Sequence, residues 1–188
     1  VPLVIPEINA EALQDHRGFI ANPNCSTIIG LMALAPLHRV AGIRRFVAAT
    51  YQSVSGTGRG ALLELEAQTK AYAENRALEV EAYPYQIAFN AIPQIGSLKV
   101  SMPGYTSEEA KMLFETRKIL GTEHIRVSAT CVRIPVFFAH SEALNVEFSR
   151  PMSVEEARDV LAAAEGVQVI DDVGQKRYPM PLDAGGKD

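Results

Sequence analysis

The sequence predicts an α+β fold: a mixed, largely antiparallel sheet with helices mainly on one face. Two observations carry this. The β-rich runs come in neighbouring pairs with the helical runs grouped between them, and the helical runs open on recognisable caps, Thr106-x-x-Glu109 and Ser153-x-x-Glu156 among them.

In chain order, Val1 to Ile5 reads as a strand, and Gly18-Phe19-Ile20-Ala21 as the end of another. From Ser26 the residues Ile28, Ile29, Leu31, Met32, Leu34 and Ala35 recur at helical spacing, so a helix begins at or near Cys25 and ends between His38 and Gly42. Ile43 to Gln52 is β-rich, Ser53 to Gly60 is a loop, and Ala61 to Arg76 is helical, with Leu62, Leu63, Leu65 and Ala73 available for an apolar face. Residues 79–105 hold several Pro and Gly with little periodicity and predict a long irregular connection. The Thr106 box opens a helix to about Leu120. Two β-rich stretches follow, Ile125 to Val136 and His140 to Phe148, then the Ser153 helix to about Glu165 and a short strand from Val167 to Ile170. No internal repeat or low-complexity tract is visible.

With 188 residues, 47% hydrophobic and 21% charged, the chain has the composition of one soluble domain with a sizeable core. A net charge of −4 without a dense basic run argues against nucleic acid or an anionic membrane as partner. No apolar run approaches the roughly 20 residues of a membrane span, and no signal peptide is evident. The two cysteines stand in different contexts, which points to a reducing, cytoplasmic setting. A start without Met and a polar end, Asp183 to Asp188, give the look of a piece of a longer polypeptide.

Four places hold candidate chemistry. A cysteine at a helix start meets free amides and the positive end of the macrodipole, which favours the thiolate; Cys25 is either such a nucleophile or a small buried residue. Tyr51 to Gly58 sets an amide side chain, Gln52, at a strand end before a glycine-rich loop, either a ligand loop or a capped turn. Gly56-x-Gly58-x-x-Ala61 also satisfies a dinucleotide-binding pattern, with Glu79 or Glu81 at ribose-holding distance, but Ser53 to Gly56 separate it from the strand and the next strand is poorly formed. Glu108 and Lys111, three apart, share one helix face, as solvated surface pairs commonly do. Arg133 in an apolar run needs an anionic partner, and His140 could exchange a proton near neutral pH; buried structural pairing would also explain both. Seven residues apart, they would point to opposite sides of one unbroken strand, although Pro135 makes a break plausible. No motif calls for a metal.

Taken together, Asn22-Pro23-Asn24-Cys25-Ser26-Thr27, Tyr51-Gln52 with Ser55-Gly56, Glu108-x-x-Lys111 followed by Glu115-Thr116-x-Lys118-Ile119, and Arg133-x-Pro135-Val136 with His140-Ser141-Glu142 resemble the aspartate-β-semialdehyde dehydrogenases, in order and spacing along the whole chain. Ile29 stands where family members often have Gln. The resemblance covers residues 1–188 as a catalytic and dimerisation domain, without the Rossmann NADP-binding domain and the carboxy-terminal segment.

It implies an NADP-dependent, phosphorylating aldehyde dehydrogenase that reduces β-aspartyl phosphate to aspartate semialdehyde, in lysine, threonine and methionine biosynthesis. Cys25 would form the thioester and His140 would be the acid/base group. Arg133 would hold the α-carboxylate, Glu108 the α-ammonium, Lys111 the phosphate and Gln52 the reacting end, with Asn24 helping to orient the acyl oxygen. Ser55 and Gly56 would line the nicotinamide, which reassigns the glycine-rich loop. The resemblance further implies a homodimer through this domain, and that the piece alone folds and self-associates but does not turn over. Alternatives are another acyl-thioester reductase, such as an N-acetylglutamyl-phosphate reductase or a glyceraldehyde-type dehydrogenase, and a non-catalytic dimerisation module.

Overall fold

A computed structural model describes residues 1–186; the last two positions of the polar end, 187 and 188, lie outside the described residues. A short helix α1 (Pro6–Asn9) and a 3-10 turn (Ala10–Asp15) precede α2 (Cys25–Ala41) and β1 (Ile43–Gln52). A 3-10 turn (Val54–Thr57) leads into α3 (Arg59–Ala73), followed by α4 (Ser107–Ile119), β2 (Arg126–Arg133), β3 (Ser141–Phe148), α5 (Val154–Ala162), a 3-10 turn (Val173–Gln175) and α6 (Pro181–Ala184).

The sheet is mixed, in the order β2-β1-β3. β1 pairs parallel with β2, Gln52 opposite Arg133, and antiparallel with β3, Tyr51 opposite Ser141. The parallel pairing needs a crossover, and α3, the long connection and α4 supply it. This topology gathers the ends of β1 and β2 and the start of β3 at one end of the sheet. α2 is brought to the same end by its length. Gly42, at a positive φ of 63°, turns the chain directly from α2 into β1, so the helix runs back along the strand. Its 17 residues span about 25 Å, enough to return Cys25 to the level of Gln52.

α2 and α4 touch one another and pack on one sheet face, where Leu31, Leu34, Phe46, Ala48, Met112, Ile119, Ile125 and Cys131 form the main core. The other face carries Val47, Ala49, Thr130, Val132 and Ala143, none of them buried, and an exposed Tyr51. At its far end Glu147 pairs with Arg45 at 2.8 Å and reaches Arg126 at 3.9 Å. Both expected caps are present: Thr106 and Glu109 close a reciprocal box, and Ser153 accepts from the Glu156 amide.

A second core of Val54, Ala61, Leu65, Ile87, Ala88 and Ile92 lies under α3. It orders the long connection without strands, through buried polar groups of α3. Gln68 accepts from the amides of Ile87 and Ala88 at 3.1 and 2.9 Å and donates to the Glu79 carbonyl at 2.7 Å, while Glu64 accepts from the amides of Glu81 and Ala82. Main-chain groups that would otherwise be buried unpaired are satisfied this way. Glu79 and Glu81 are thereby tied to α3 through their main chain, and no strand follows that helix at the place a dinucleotide fold requires.

Three expected strands are not formed. Val1 to Ile5 and Gly18 to Ala21 meet only at a single parallel bridge, Leu3 to Ala21, and Val167 to Ile170 is irregular and pairs with no strand among the described residues. Each run is apolar enough for a strand, but a lone extended segment needs a sheet edge beside it, and sequence periodicity does not supply one.

Candidate active site

Cys25 is the first residue of α2 and is exposed. Asn24 is the N-cap, its side-chain oxygen accepting from the amides of Ser26 at 3.1 Å and Thr27 at 3.2 Å. The same side chain uses its nitrogen to donate to Glu108 Oε1 at 2.8 Å and lies 3.9 Å from Cys25 Sγ. The Asn24 amide donates to Glu115 Oε2 at 2.7 Å. Two carboxylates of α4 therefore hold the turn that presents the thiol. Glu115 belonged to a quoted motif without a role; its function here is to fix the start of α2.

Gln52, buried at the end of β1, donates to Glu108 Oε1 at 3.3 Å and to Thr50 Oγ1 at 3.2 Å. Glu108 is itself buried, and its second oxygen lies 3.6 Å from Nζ of Lys111, whose head reaches solvent. Asn24, Gln52, Glu108 and Lys111 thus form one contact network beside Cys25.

A second network meets at Ser53. Its carbonyl accepts from Nη1 of the buried Arg133 at 2.6 Å, and its amide donates to Nδ1 of His140 at 3.0 Å. The opposite parity of Arg133 and His140 presents no obstacle: β2 ends at one and β3 starts after the other, so they flank β1 from its two sides. Gly56 closes the hollow. A Cβ there would stand 3.0 Å from Arg133 Nη1 and 3.2 Å from Cε1 and Nε2 of His140, closer than ordinary packing permits. Ser55, half-buried, places its hydroxyl 3.0 Å from that of Ser53. Sequence reasoning gave Ser53 no role, because both of its decisive bonds come from main-chain groups that any residue carries.

The electrostatics correct one expectation. Although the residue is open to solvent on one side, the Cys25 thiol is pushed up from its ordinary range, first by desolvation from the protein atoms packed around it and then by Glu108; the Ser26 amide and hydroxyl and Arg133 pull the other way without prevailing. A helix start alone does not make this sulfur a thiolate. Burial, with Arg133 second and Glu108 opposing, pushes the His140 imidazole down. Around neutral pH the free protein therefore holds a neutral thiol and a neutral ring within the fields of the same Glu108 and Arg133. Cys131 is buried among apolar neighbours and pushed up to about 12, first by burial.

Among the described residues no group of three or more His, Cys, Asp or Glu could hold a metal, and no helix is long and apolar enough to cross a membrane. Toward a nicotinamide cofactor this chain offers one local feature, the absence of a Cβ at Gly56 where the loop runs against His140 and Arg133, with the Ser55 hydroxyl beside it.

The family model of the semialdehyde dehydrogenase dimerisation domain matches residues 34–188. The aspartate-semialdehyde dehydrogenase of Aquifex aeolicus is 52% identical over 191 residues, covering 100% of this chain and 56% of the relative. That of Synechocystis is 48% identical over 188 residues, covering 100% and 55%. The chain thus spans about half the length of the curated relatives it matches. A crystal structure of aspartate semialdehyde dehydrogenase II from Vibrio cholerae, complexed with ASA, superposes with a TM-score of 0.94 at 44% identity, over 100% of this chain and 55% of that one. The Candida albicans enzyme with NADP gives 0.60 at 27% identity, over 86% and 44%. On these grounds the chain belongs to the aspartate-semialdehyde dehydrogenase family and carries its dimerisation domain.

Proposed function

We propose that this chain supplies the acyl-transfer centre and the dimer contact of an NADP-dependent aspartate-semialdehyde dehydrogenase, which converts β-aspartyl phosphate to aspartate semialdehyde through a thioester on Cys25. One arrangement supports this most. A buried guanidinium, Arg133, whose only hydrogen-bonded acceptor among the described residues is the Ser53 carbonyl, and a buried carboxylate, Glu108, both act on an exposed thiol at a helix start. An α-amino acid carries a carboxylate for the first and an ammonium for the second, which sets its side-chain acyl carbon at the sulfur.

The chemistry of the chain follows. The Cys25 thiol gives its proton to His140 as the sulfur attacks the acyl carbon; the carbon–oxygen bond to phosphate breaks with its electron pair on the phosphate, and a thioester remains. Asn24 and Gln52 fix the carboxylate that receives the ammonium, and Asn24 also lies against the sulfur, where it helps orient the acyl oxygen. Lys111, paired loosely with Glu108 and open to solvent, receives the departing phosphate. His140 works as the acid/base group at the reacting oxygen. Ser55 and Gly56 bound the space for the nicotinamide, and bound reduced NADP supplies the hydride.

Glu108 favours this reading over an N-acetylglutamyl-phosphate reductase, because an acetylated amine gives a carboxylate no charge to pair with. The domain description of the matching family and the partly open sheet face around Val47, Ala49, Tyr51 and Val132 support a homodimer. Within this reading the enzyme belongs to lysine, threonine and methionine biosynthesis and to the cytoplasm.

Treatment with β-aspartyl phosphate followed by peptide mass mapping tests the proposal. An acyl adduct on Cys25 that hydroxylamine removes is expected; an unmodified Cys25, with or without an adduct on Cys131, would refute it.

A further inference from the structure

Behind Cys25 the fold buries polar groups that the chemistry above does not use. Glu142, on β3 opposite the buried Thr50, turns toward α2: its Oε2 lies 2.8 Å from the point where a Cβ on Gly30 would stand, a close approach that the missing Cβ permits. Gly30 is three residues past Thr27 and four past Ser26, which puts all three on one helix face. Side chains on a helix lean toward its N-terminus, so the space beside Gly30 lies over the turn that carries the two hydroxyls. Ser26 and Thr27 are 0% and 1% exposed. Their hydroxyl oxygens and both carboxyl oxygens of Glu142 are shut off from solvent and have no hydrogen-bond partner among the described residues. Orphaned polar atoms on two facing elements are costly to leave unpaired, and an internal water is the ordinary remedy. A cation would be opposed by the field of the helix start. Burial raises Glu142 to about 8, so near neutral pH it is a carboxylic acid with one O–H to give and one oxygen free to accept. One water can accept from that O–H and donate to Ser26 Oγ and Thr27 Oγ1, while the Thr27 hydroxyl donates to the second carboxyl oxygen. The Ser26 O–H is then left over, and it belongs to the residue next to the sulfur, where it favours the thiolate.

We propose that Glu142 is a positioning residue: as a neutral acid it holds one buried water against Ser26 and Thr27, and this directed chain turns the Ser26 O–H onto the Cys25 sulfur as the thiolate forms. The catalytic use of that thiolate rests on the function proposed above; the water site and the chain do not. No proton travels along the chain. The thiol proton goes to His140, and the chain supplies a hydrogen bond to the sulfur whose donors all point one way, which strengthens the last of them.

Alkylation of Cys25 by iodoacetamide at about pH 6.5, where Glu142 is still an acid, reads the thiolate without substrate. Glu142→Leu and Ser26→Ala should each slow it by about threefold to tenfold, the worth of one hydrogen bond. The double variant should be no slower than the slower single, because both substitutions cut the same chain. Glu142→Gln, whose amide gives and accepts as the acid does, should stay within about twofold of wild type. A rate unmoved in Glu142→Leu, equal slowing in Glu142→Leu and Glu142→Gln, or additive losses in the double variant would overturn the proposal. Should the leucine variant fail to fold, a crystal structure of the wild-type chain decides: one water within hydrogen-bond distance of Glu142, Ser26 and Thr27 is expected, and its absence would overturn the proposal. The expected rates in a protein whose Cys25 is not acylated by β-aspartyl phosphate would overturn the function and spare the water chain, while normal acylation beside an unmoved Glu142→Leu would do the reverse.

Discussion

Asn24 and Glu108, 84 positions apart, share a 2.8 Å hydrogen bond in which the residue that caps the cysteine helix donates to a buried carboxylate of α4. The bond ties the chemistry of Cys25 to a residue on another element. Glu108 orders the helix start and at the same time raises the energy of a thiolate beside it. A substrate ammonium paired with Glu108 would cancel part of that field, so substrate binding itself would favour the reactive form of the sulfur.

Glu108→Gln should therefore lower the Cys25 pKa while weakening substrate. A glutamine oxygen can still accept from Asn24 and Gln52, but the charge is gone. The pH profile of iodoacetamide alkylation, read by peptide mass mapping, should move to lower pH. In the wild type, Cys25 should label well before the buried Cys131 at every pH, with a rate still climbing above the ordinary thiol range. A profile unmoved by Glu108→Gln, or equal labelling of both cysteines, would contradict this.

Arg133→Lys keeps a charge but loses the planar two-pronged contact. Acylation of Cys25 by β-aspartyl phosphate should slow by about tenfold to a hundredfold, with little change in acylation by a phosphate ester of an acid that lacks the α-carboxylate. Equal slowing of both substrates would mean that Arg133 serves the fold through its bond to Ser53.

Gly56→Ala puts a methyl group 3.0 Å from Arg133 Nη1 and 3.2 Å from the His140 ring. The hollow closes and both side chains must shift, while the local backbone angle suits alanine. Reactivity should fall at least about tenfold with stability changed by less than about 1 kcal/mol. Unaltered reactivity in a kinetic assay would show that the hollow is not part of the site.

Glu142, two residues beyond His140 on β3, has both carboxyl oxygens buried without a partner, and burial pushes its pKa up to about 8. Because the folded value lies above the unfolded one, the folded state holds more protons between about pH 4.5 and 8, and stability falls across that window as pH rises. Glu142→Gln should remove most of this slope and gain about 4 kcal/mol at pH 8 relative to wild type. Urea unfolding at pH 5 and pH 8 checks it; parallel slopes for the two proteins would refute the assignment.

What the sequence made legible is what local chemistry decides. The Thr106 and Ser153 caps, the helix beginning at Cys25 and the bounds of β1 follow from side chains within a few residues of each other. The Val167 to Ile170 strand failed because pairing is not local. For the same reason parity could not place Arg133 and His140: Pro135 marks a break between two β-rich stretches, but only the pairing of those strands on either side of β1 brings both residues to one end of the sheet. The thiol expectation failed in kind, since a helix dipole is visible in sequence, whereas the desolvation of the sulfur by the surrounding fold, and after it a carboxylate arriving from α4, are not. Ser53 left no trace at all, because it acts through its main chain.

In the proposed function, Arg133 and Glu108 cradle an amino acid around Cys25. The most direct measurement is the ratio of Cys25 acylation rates with β-aspartyl phosphate and with acetyl phosphate, which lacks both α-substituents. A preference of about a hundredfold or more for the aspartyl compound is expected, shrinking stepwise in Glu108→Gln and Arg133→Lys. Equal rates with the two phosphates in the wild-type chain would contradict it.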